Sequence, residues 1–273
     1  MPPTTIAILG AKGGVGTSLF SANLAIYLAT IGKRVLAVDA DPSGADLHAM
    51  LGVGPRVAPY VAPTPSFGTE GTLGSLASVL DHDALNTLAM REPVDGPIPG
   101  LQWMDGGLSE PHRGSARRSS LRELERRLKK QDAEFAVVDL GSAATDAAVR
   151  FWCASPHRLA ITIPEPNAVS GLYRLVRKAF AATALEQVSD ERQQSTLHAA
   201  LTKAGHSPAP SDIAALVKLE WPELGRALFE HMDGLRFPFI VNQARLRADL
   251  ELGDQATVAV RRRYGVHLKY LGY

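Results

Sequence analysis

The sequence predicts a doubly wound α/β fold with a mostly parallel sheet of about seven strands. Three observations lead there. Short apolar segments alternate with helical patterns along the chain. Most of these segments are apolar on both faces, which suits strands covered by helices on both sides. The first of them runs into a glycine-rich turn that opens a helix, the layout of a phosphate-binding loop. The 273 residues, 45% of them hydrophobic, can bury a large core. Sheets of this kind often fill one domain of such length, so a single domain over 1–273 is expected.

The expected strands are Thr5–Leu9, Arg34–Asp39, Leu101–Met104, Phe135–Asp139, Leu159–Ile163, Phe239–Asn242 and His267–Leu271. A helix over Leu19–Thr30 follows the first, and Gly32 stands where that helix needs a C-terminal cap. The Pro/Gly-rich stretch 55–99 reads as a surface excursion carrying one helix, 73–91. The stretch 184–237 reads as a polar helical insertion with a break at Ser207-Pro208-Ala209-Pro210. Between Arg117 and Lys130 the chain is strongly basic, with Leu121, Leu124 and Leu128 at helical spacing. An exposed helix docked on the sheet accounts for that better than a DNA- or membrane-facing patch, because no aromatics are interleaved.

Composition excludes several classes. A net charge of +1 provides no global basic field for nucleic acid or anionic membrane. The single cysteine, Cys153, forms no intramolecular disulfide and reads as a small buried hydrophobe placed after a helix. No signal peptide and no apolar run of transmembrane length is visible, so a cytoplasmic protein is expected.

The chemistry gathers around Ala11-Lys12-Gly13-Gly14-Val15-Gly16-Thr17-Ser18. Glycines let successive N–H groups turn inward around an oxyanion, and the helix N-terminus adds partial positive charge. Gly13, Gly14, Val15, Gly16, Thr17, Ser18 and the following Leu19 are the candidate nucleotide-binding residues. Ser18 is placed to hold Mg²⁺. The second strand ends in Asp39-Ala40-Asp41, two carboxylates at the edge where open α/β sheets bind ligands. The strand from Phe135 ends in Asp139, which can hold Mg²⁺ through water. Asn242-Gln243 closes another strand with amides able to read an adenine edge.

Those residues resemble the ParA/MinD superfamily of deviant Walker ATPases, whose loop motif is K-G-G-x-G-K-[ST]. The resemblance covers nearly the whole chain and implies a P-loop NTPase fold of the SIMIBI type with ATP and Mg²⁺ as cofactors. It also implies roles. Lys12 takes the signature position that reaches the partner's phosphates in an ATP-sandwich homodimer, and Asp41 the water-positioning position. Asp39 falls in the first switch as a metal-site residue with Ser18 and Asp139. Asp139-Leu140-Gly141 matches the second switch, and Pro164-Glu165-Pro166 and Asn242 match later motifs. The stretch Asp39 to Gly52 looks closer to the FlhG branch, the MinD-like flagellar regulators. A protein partner is therefore expected, without sequence-specific nucleic acid. The branch's N-terminal partner-binding segment and C-terminal membrane helix are not visible here. Peripheral placement at a membrane or pole would run through a partner or a segment outside these residues.

One residue departs from the motif: Thr17 stands where the loop lysine should reach the outer phosphates. Losing each charge-assisted hydrogen bond costs ~1.5–3 kcal/mol, so affinity or rate is expected to fall by ~10²-fold or more. Two functions follow. One is a slow nucleotide-gated switch for positioning or counting a cell structure. The other is a pseudo-ATPase scaffold. An iron–sulfur carrier is set aside because Cys153 is alone, and a tyrosine kinase because Tyr264, Tyr270 and Tyr273 read as packing residues.

Overall fold

The computed structural model describes residues 1–41, 47–53, 92–106, 115–143, 145–203 and 209–273, with the backbone alone at 115–121 and 203. Among these residues the sheet has eight strands: β1 (Thr4–Gly10), β2 (Val35–Asp39), β3 (Val94–Asp95), β4 (Leu101–Asp105), β5 (Phe135–Ser142), β6 (His157–Thr162), β7 (Arg236–Val241) and β8 (His267–Tyr270). They lie in the order β3-β4-β2-β5-β1-β6-β7-β8. Every pairing is parallel except β3 with β4. The extra strand beyond the expected seven is β3. Two residues pairing antiparallel with Gln102 and Trp103 carry no periodicity to read.

Alternation along the central strands shows why the sheet is buried on both faces. In β2, Leu36 and Val38 join one apolar cluster while Val35 and Ala37 join the other. In β5, Ala136, Val138 and Leu140 face the first cluster and Val137 the second. The second cluster is covered by α1 (Thr17–Thr30) and α2 (Leu47–Met50). The first is covered by α3 (Ser115–Leu128), α4 (Asp146–Ala154), α5 (Pro166–Glu186), α6 (Glu191–Lys203), α7 (Pro210–Glu220), α8 (Pro222–Gly234) and α9 (Arg247–Tyr264). Leu124 and Leu128 anchor the basic helix α3 to the core, as its spacing predicts.

Helix ends follow local chemistry. Gly32, at φ +83°, caps α1 with its N–H on the Ala29 carbonyl. Thr145 caps α4 by accepting from the Ala148 N–H. Prolines 166, 210 and 222 open α5, α7 and α8, where a missing N–H costs nothing. The stretch 184–237 contains the end of α5, then α6, α7 and α8. Leu197, Ile213, Val217 and Leu228 from it join the same cluster as Leu175 and Phe180 of α5.

Some expectations change. Helix α1 starts at Thr17 rather than Leu19, because left-handed Gly16 turns the chain directly into it. Cys153 lies inside α4, in its last turn, not after it. Tyr264 and Tyr270 do pack, against Tyr173 and Phe239, but Tyr273 is exposed. The expected helix 73–91, most of the 55–99 excursion, and residues 42–46 and 207–208 lie outside the described residues. None of the described helices is long and apolar enough to cross a membrane.

Candidate functional site

Strand β1 ends at Gly10, and its register against β5 shifts between Ile8 and Gly10 as the chain leaves the sheet. The departing loop is tied down by Ala11 N–H to the Ile161 carbonyl and by Ala143 N–H to the Gly10 carbonyl, each 2.8 Å. A Cβ at Gly10 would run into the Thr17 hydroxyl, so the loop base closes only around glycine. Gly14 and Gly16 hold φ +79° and +87°, the left-handed region that favours glycine. Gly16 also passes beneath the Asn242 amide, where a Cβ would collide with Nδ2. Asn242, at the end of β7, donates from Nδ2 to the Val15 carbonyl (2.9 Å) and accepts the Gln243 N–H on Oδ1. It clasps the loop from 227 residues away. Gln243 itself takes φ +59°.

The N-terminus of α1 carries no acidic residue in its first turn and no side-chain cap. Its positive dipole end and free N–H groups point into the loop uncompensated, the arrangement that binds phosphate. Ser18 sits in that turn, and Leu19 is 54% exposed on the outer side. Thr17 is buried, its hydroxyl set over Gly10 at the loop base.

Opposite the loop stands a row of carboxylates. Parallel register places Asp39 of β2 beside Asp139 of β5 and, on its other side, Asp105 of β4. Asp39 and Asp139 are buried. Asp39 accepts the N–H groups of Leu47 and Asp41 (3.0 and 3.3 Å). Burial pushes its pKa up to about 7, against the pull of the Leu47 N–H, and the Asp139 charge raises it further. Burial likewise raises Asp139 to about 6, opposed by the nearby Ser18 hydroxyl and the Gly141 N–H. Asp139 Oδ1 accepts that N–H at 3.0 Å, while Oδ2 is sealed from solvent without a hydrogen bond of good geometry. A buried carboxylate oxygen without a hydrogen bond is one that a cation could satisfy.

Ser18, Asp39 and Asp139 provide hard oxygen donors of the kind Mg²⁺ takes, and Mg²⁺ commonly keeps waters and phosphate oxygens as its other ligands. The shared set matters, since no group of three or more His, Cys, Asp or Glu among the described residues could hold a metal. Asp41 lies against Gly141, where a Cβ would meet its carboxylate, so the ends of β2 and β5 interlock. Lys12 Nζ reaches Glu165 Oε2, at the start of α5, at 3.2 Å. With the two side chains 38% and 55% exposed, this pair is worth at most about 1 kcal/mol and is readily exchanged.

The structure thus brings Lys12, Gly13–Ser18, Asp39, Asp41, Asp139 and Asn242 to the carboxyl edge of the central strands. Sequence reasoning missed Asp105, the clasp made by Asn242, and the ion pair of Glu165. The signal for Asp105 was present: an apolar strand ending in aspartate, as at Asp39 and Asp139.

Loop, uncapped helix start and buried carboxylates define a nucleotide-binding α/β domain. The family model for the CobQ/CobB/MinD/ParA nucleotide binding domain matches residues 6–218, and the chain belongs to that family. It is 27% identical over 177 residues to the antiactivator FleN of Pseudomonas aeruginosa, covering 64% of this chain and 56% of FleN. It is 48% identical over 52 residues to the iron-sulfur cluster carrier protein of Bacillus subtilis, covering 19% of this chain and 15% of the carrier. The chain therefore spans about half of FleN and a small part of the carrier. Among solved structures, the septum site-determining protein MinD complexed with Mg-ADP, from Pyrococcus horikoshii OT3, aligns with a TM-score of 0.41 and 21% identity, over 63% of each chain.

Proposed function

We propose that this chain is a nucleotide-gated switch of the MinD/ParA type that binds ATP with Mg²⁺ and turns it over very slowly. The observation that carries this reading is the preserved metal half of the site. Asp39 and Asp139 are buried at a cost to the fold, with Ser18 beside them and one Asp139 oxygen unmet. A scaffold has no use for two carboxylates held this way. Mg²⁺, when bound, neutralises phosphate charge there. Gly13, Gly14, Val15, Gly16, Thr17, Ser18 and Leu19 surround the phosphates, and Asn242 holds the loop and borders the base.

Slow turnover follows from Thr17. A neutral hydroxyl turned toward Gly10 does not replace a lysine at the outer phosphates. Asp41 orients water from its seat on Gly141, and Lys12 serves the opposite site of a nucleotide-dependent homodimer. In the single subunit Lys12 rests on Glu165. The whole of 1–273 acts as one domain, since α6, α7 and α8 share the core of the sheet. By likeness to FleN, an antiactivator, the output is control of a protein partner; setting the place or number of a cell structure is the role that the ParA/MinD resemblance implies. The protein works in the cytoplasm and meets membrane or pole through that partner. Iron–sulfur delivery does not fit: the lone Cys153 is partly buried in α4 and its thiol is pushed up to about 12.

The alternative is a pseudo-ATPase scaffold, favoured by Thr17 alone. Calorimetric titration with ATP and Mg²⁺ separates them. The switch reading expects saturable, Mg²⁺-dependent binding that falls when Asp139 is changed to Asn. Absence of binding at millimolar nucleotide selects the scaffold.

A further inference from the structure

Beside the phosphate loop, on the flank where Lys12 lies, is an open cavity of about 330 Å³. Its lining includes Ala11, Lys12, Gly13, Ser142, Arg174 and Lys178. Helix α5 reaches this flank because of Gly171. A Cβ there would run into the Ala11 carbonyl, so only glycine lets the helix seat directly on the loop. Arg174, one turn further along α5, is thereby delivered to the cleft.

The three cations differ in how they are matched. Lys12 is paired with Glu165 and Lys178 with Asp146, each at 3.2 Å. Arg174 is exposed and makes no hydrogen bond or ion pair among the described residues. An unpaired guanidinium lining the cleft beside a phosphate loop is suited to an oxyanion, which its planar fork grips with two parallel hydrogen bonds. Carboxylate and phosphate both match that fork, and the adjoining loop, short of its own lysine, makes phosphate the counterpart.

We infer that Arg174 is a second cation acting across the dimer, gripping with Lys12 the phosphates of nucleotide held by a second copy of this chain. The inference rests on the switch reading above and adds a residue to it. Each loop is one positive charge short because of Thr17. The partner's cleft replaces that charge from outside, so nucleotide is held fully only when two copies meet.

The test compares the wild-type chain with Arg174→Ala, Arg174→Lys and, as a control in the last turn of α9, Arg262→Ala. Light scattering and sedimentation follow association in Mg-ATP and in Mg-ADP. Calorimetry on dilute protein follows binding to the single subunit, and circular dichroism melts verify folding. The expected result is that Arg174→Ala weakens ATP-dependent association about 10- to 100-fold. Single-subunit binding should stay within about twofold, Arg174→Lys should recover part of the association, and Arg262→Ala should match wild type. Wild-type association in Arg174→Ala overturns the inference and leaves the switch standing. An equal loss of single-subunit binding overturns it too, since Arg174 then serves its own site. A wild-type chain that binds ATP yet stays monomeric at every concentration overturns both the inference and the switch.

Discussion

The inner and outer halves of the nucleotide site differ in kind. The inner half sets half-buried Ser18 with Asp39 and Asp139, which are buried, in register and costly to keep ionised. The outer half, which should meet the terminal phosphates, has a neutral Thr17 turned to the loop base and cations set outside, on Lys12 and Arg174. Burial fixes the carboxylates of the inner half, and in the proposed reading their value appears only with a cation present. Exposure makes the outer half exchangeable, because a surface ion pair such as Lys12–Glu165 holds weakly. In the proposed reading, metal binding and phosphate neutralisation fall to separate parts of one site, and only the second is given to a neighbouring molecule.

The largest expected effect probes the inner half. In the unfolded chain Asp39 ionises near 3.8, and in the fold only near 7. Between those values the native state holds the extra proton, so stability falls as pH rises across the window. Replacing Asp39 by Asn removes that slope. Denaturant melts in EDTA at pH 5 and pH 8 should show wild type losing on the order of 2–4 kcal/mol relative to the variant. Half-buried His231, its pKa lowered by burial, works in the opposite direction but equally in both proteins. Added Mg-ATP should stabilise wild type more at pH 8 than at pH 6, because it favours the ionised carboxylates. Parallel pH profiles for the two proteins would show the carboxylates to be indifferent to burial.

Next comes the missing cation. Thr17→Lys should raise ATP affinity or turnover about 10- to 100-fold, the worth of one charge-assisted contact. It should also make binding less dependent on protein concentration. No gain in either quantity would mean that the inner half has decayed as well. The smallest effect belongs to Glu165. Glu165→Gln should change stability by less than about 1 kcal/mol, as expected of an exposed pair, while tightening ATP-dependent association a few-fold by freeing Lys12. A loss above about 2 kcal/mol would show the pair to be structural.

The parts of this site that were legible in sequence are local. Glycine spacing and a helix start without acids mark the loop, and apolar strands ending in Asp39 and Asp139 mark the carboxylates. What was not legible is pairing between distant segments. Asp105 joins the row only through the register of β4 on β2. Asn242 reads as an adenine contact, and only the seating of β7 reveals that its amide also holds the Val15 carbonyl. Glu165 reads as a motif residue until α5 is seated on the loop by Gly171. Likewise β3 exists only as a two-residue partner to β4. Apart from the aspartate that ends β4, none of these carries a signal along the chain, because each is fixed by packing across 50 residues or more or by a strand too short to show a period.

The central claim is that each nucleotide site is completed by the other subunit. Apparent ATP affinity measured across a hundredfold range of protein concentration tests it most directly. Affinity should rise with concentration, because association and binding are linked. Lys12→Ala should flatten that rise and abolish the dimer. ATP binding that is equally tight at every concentration, or a dimer indifferent to Lys12→Ala, would contradict the account.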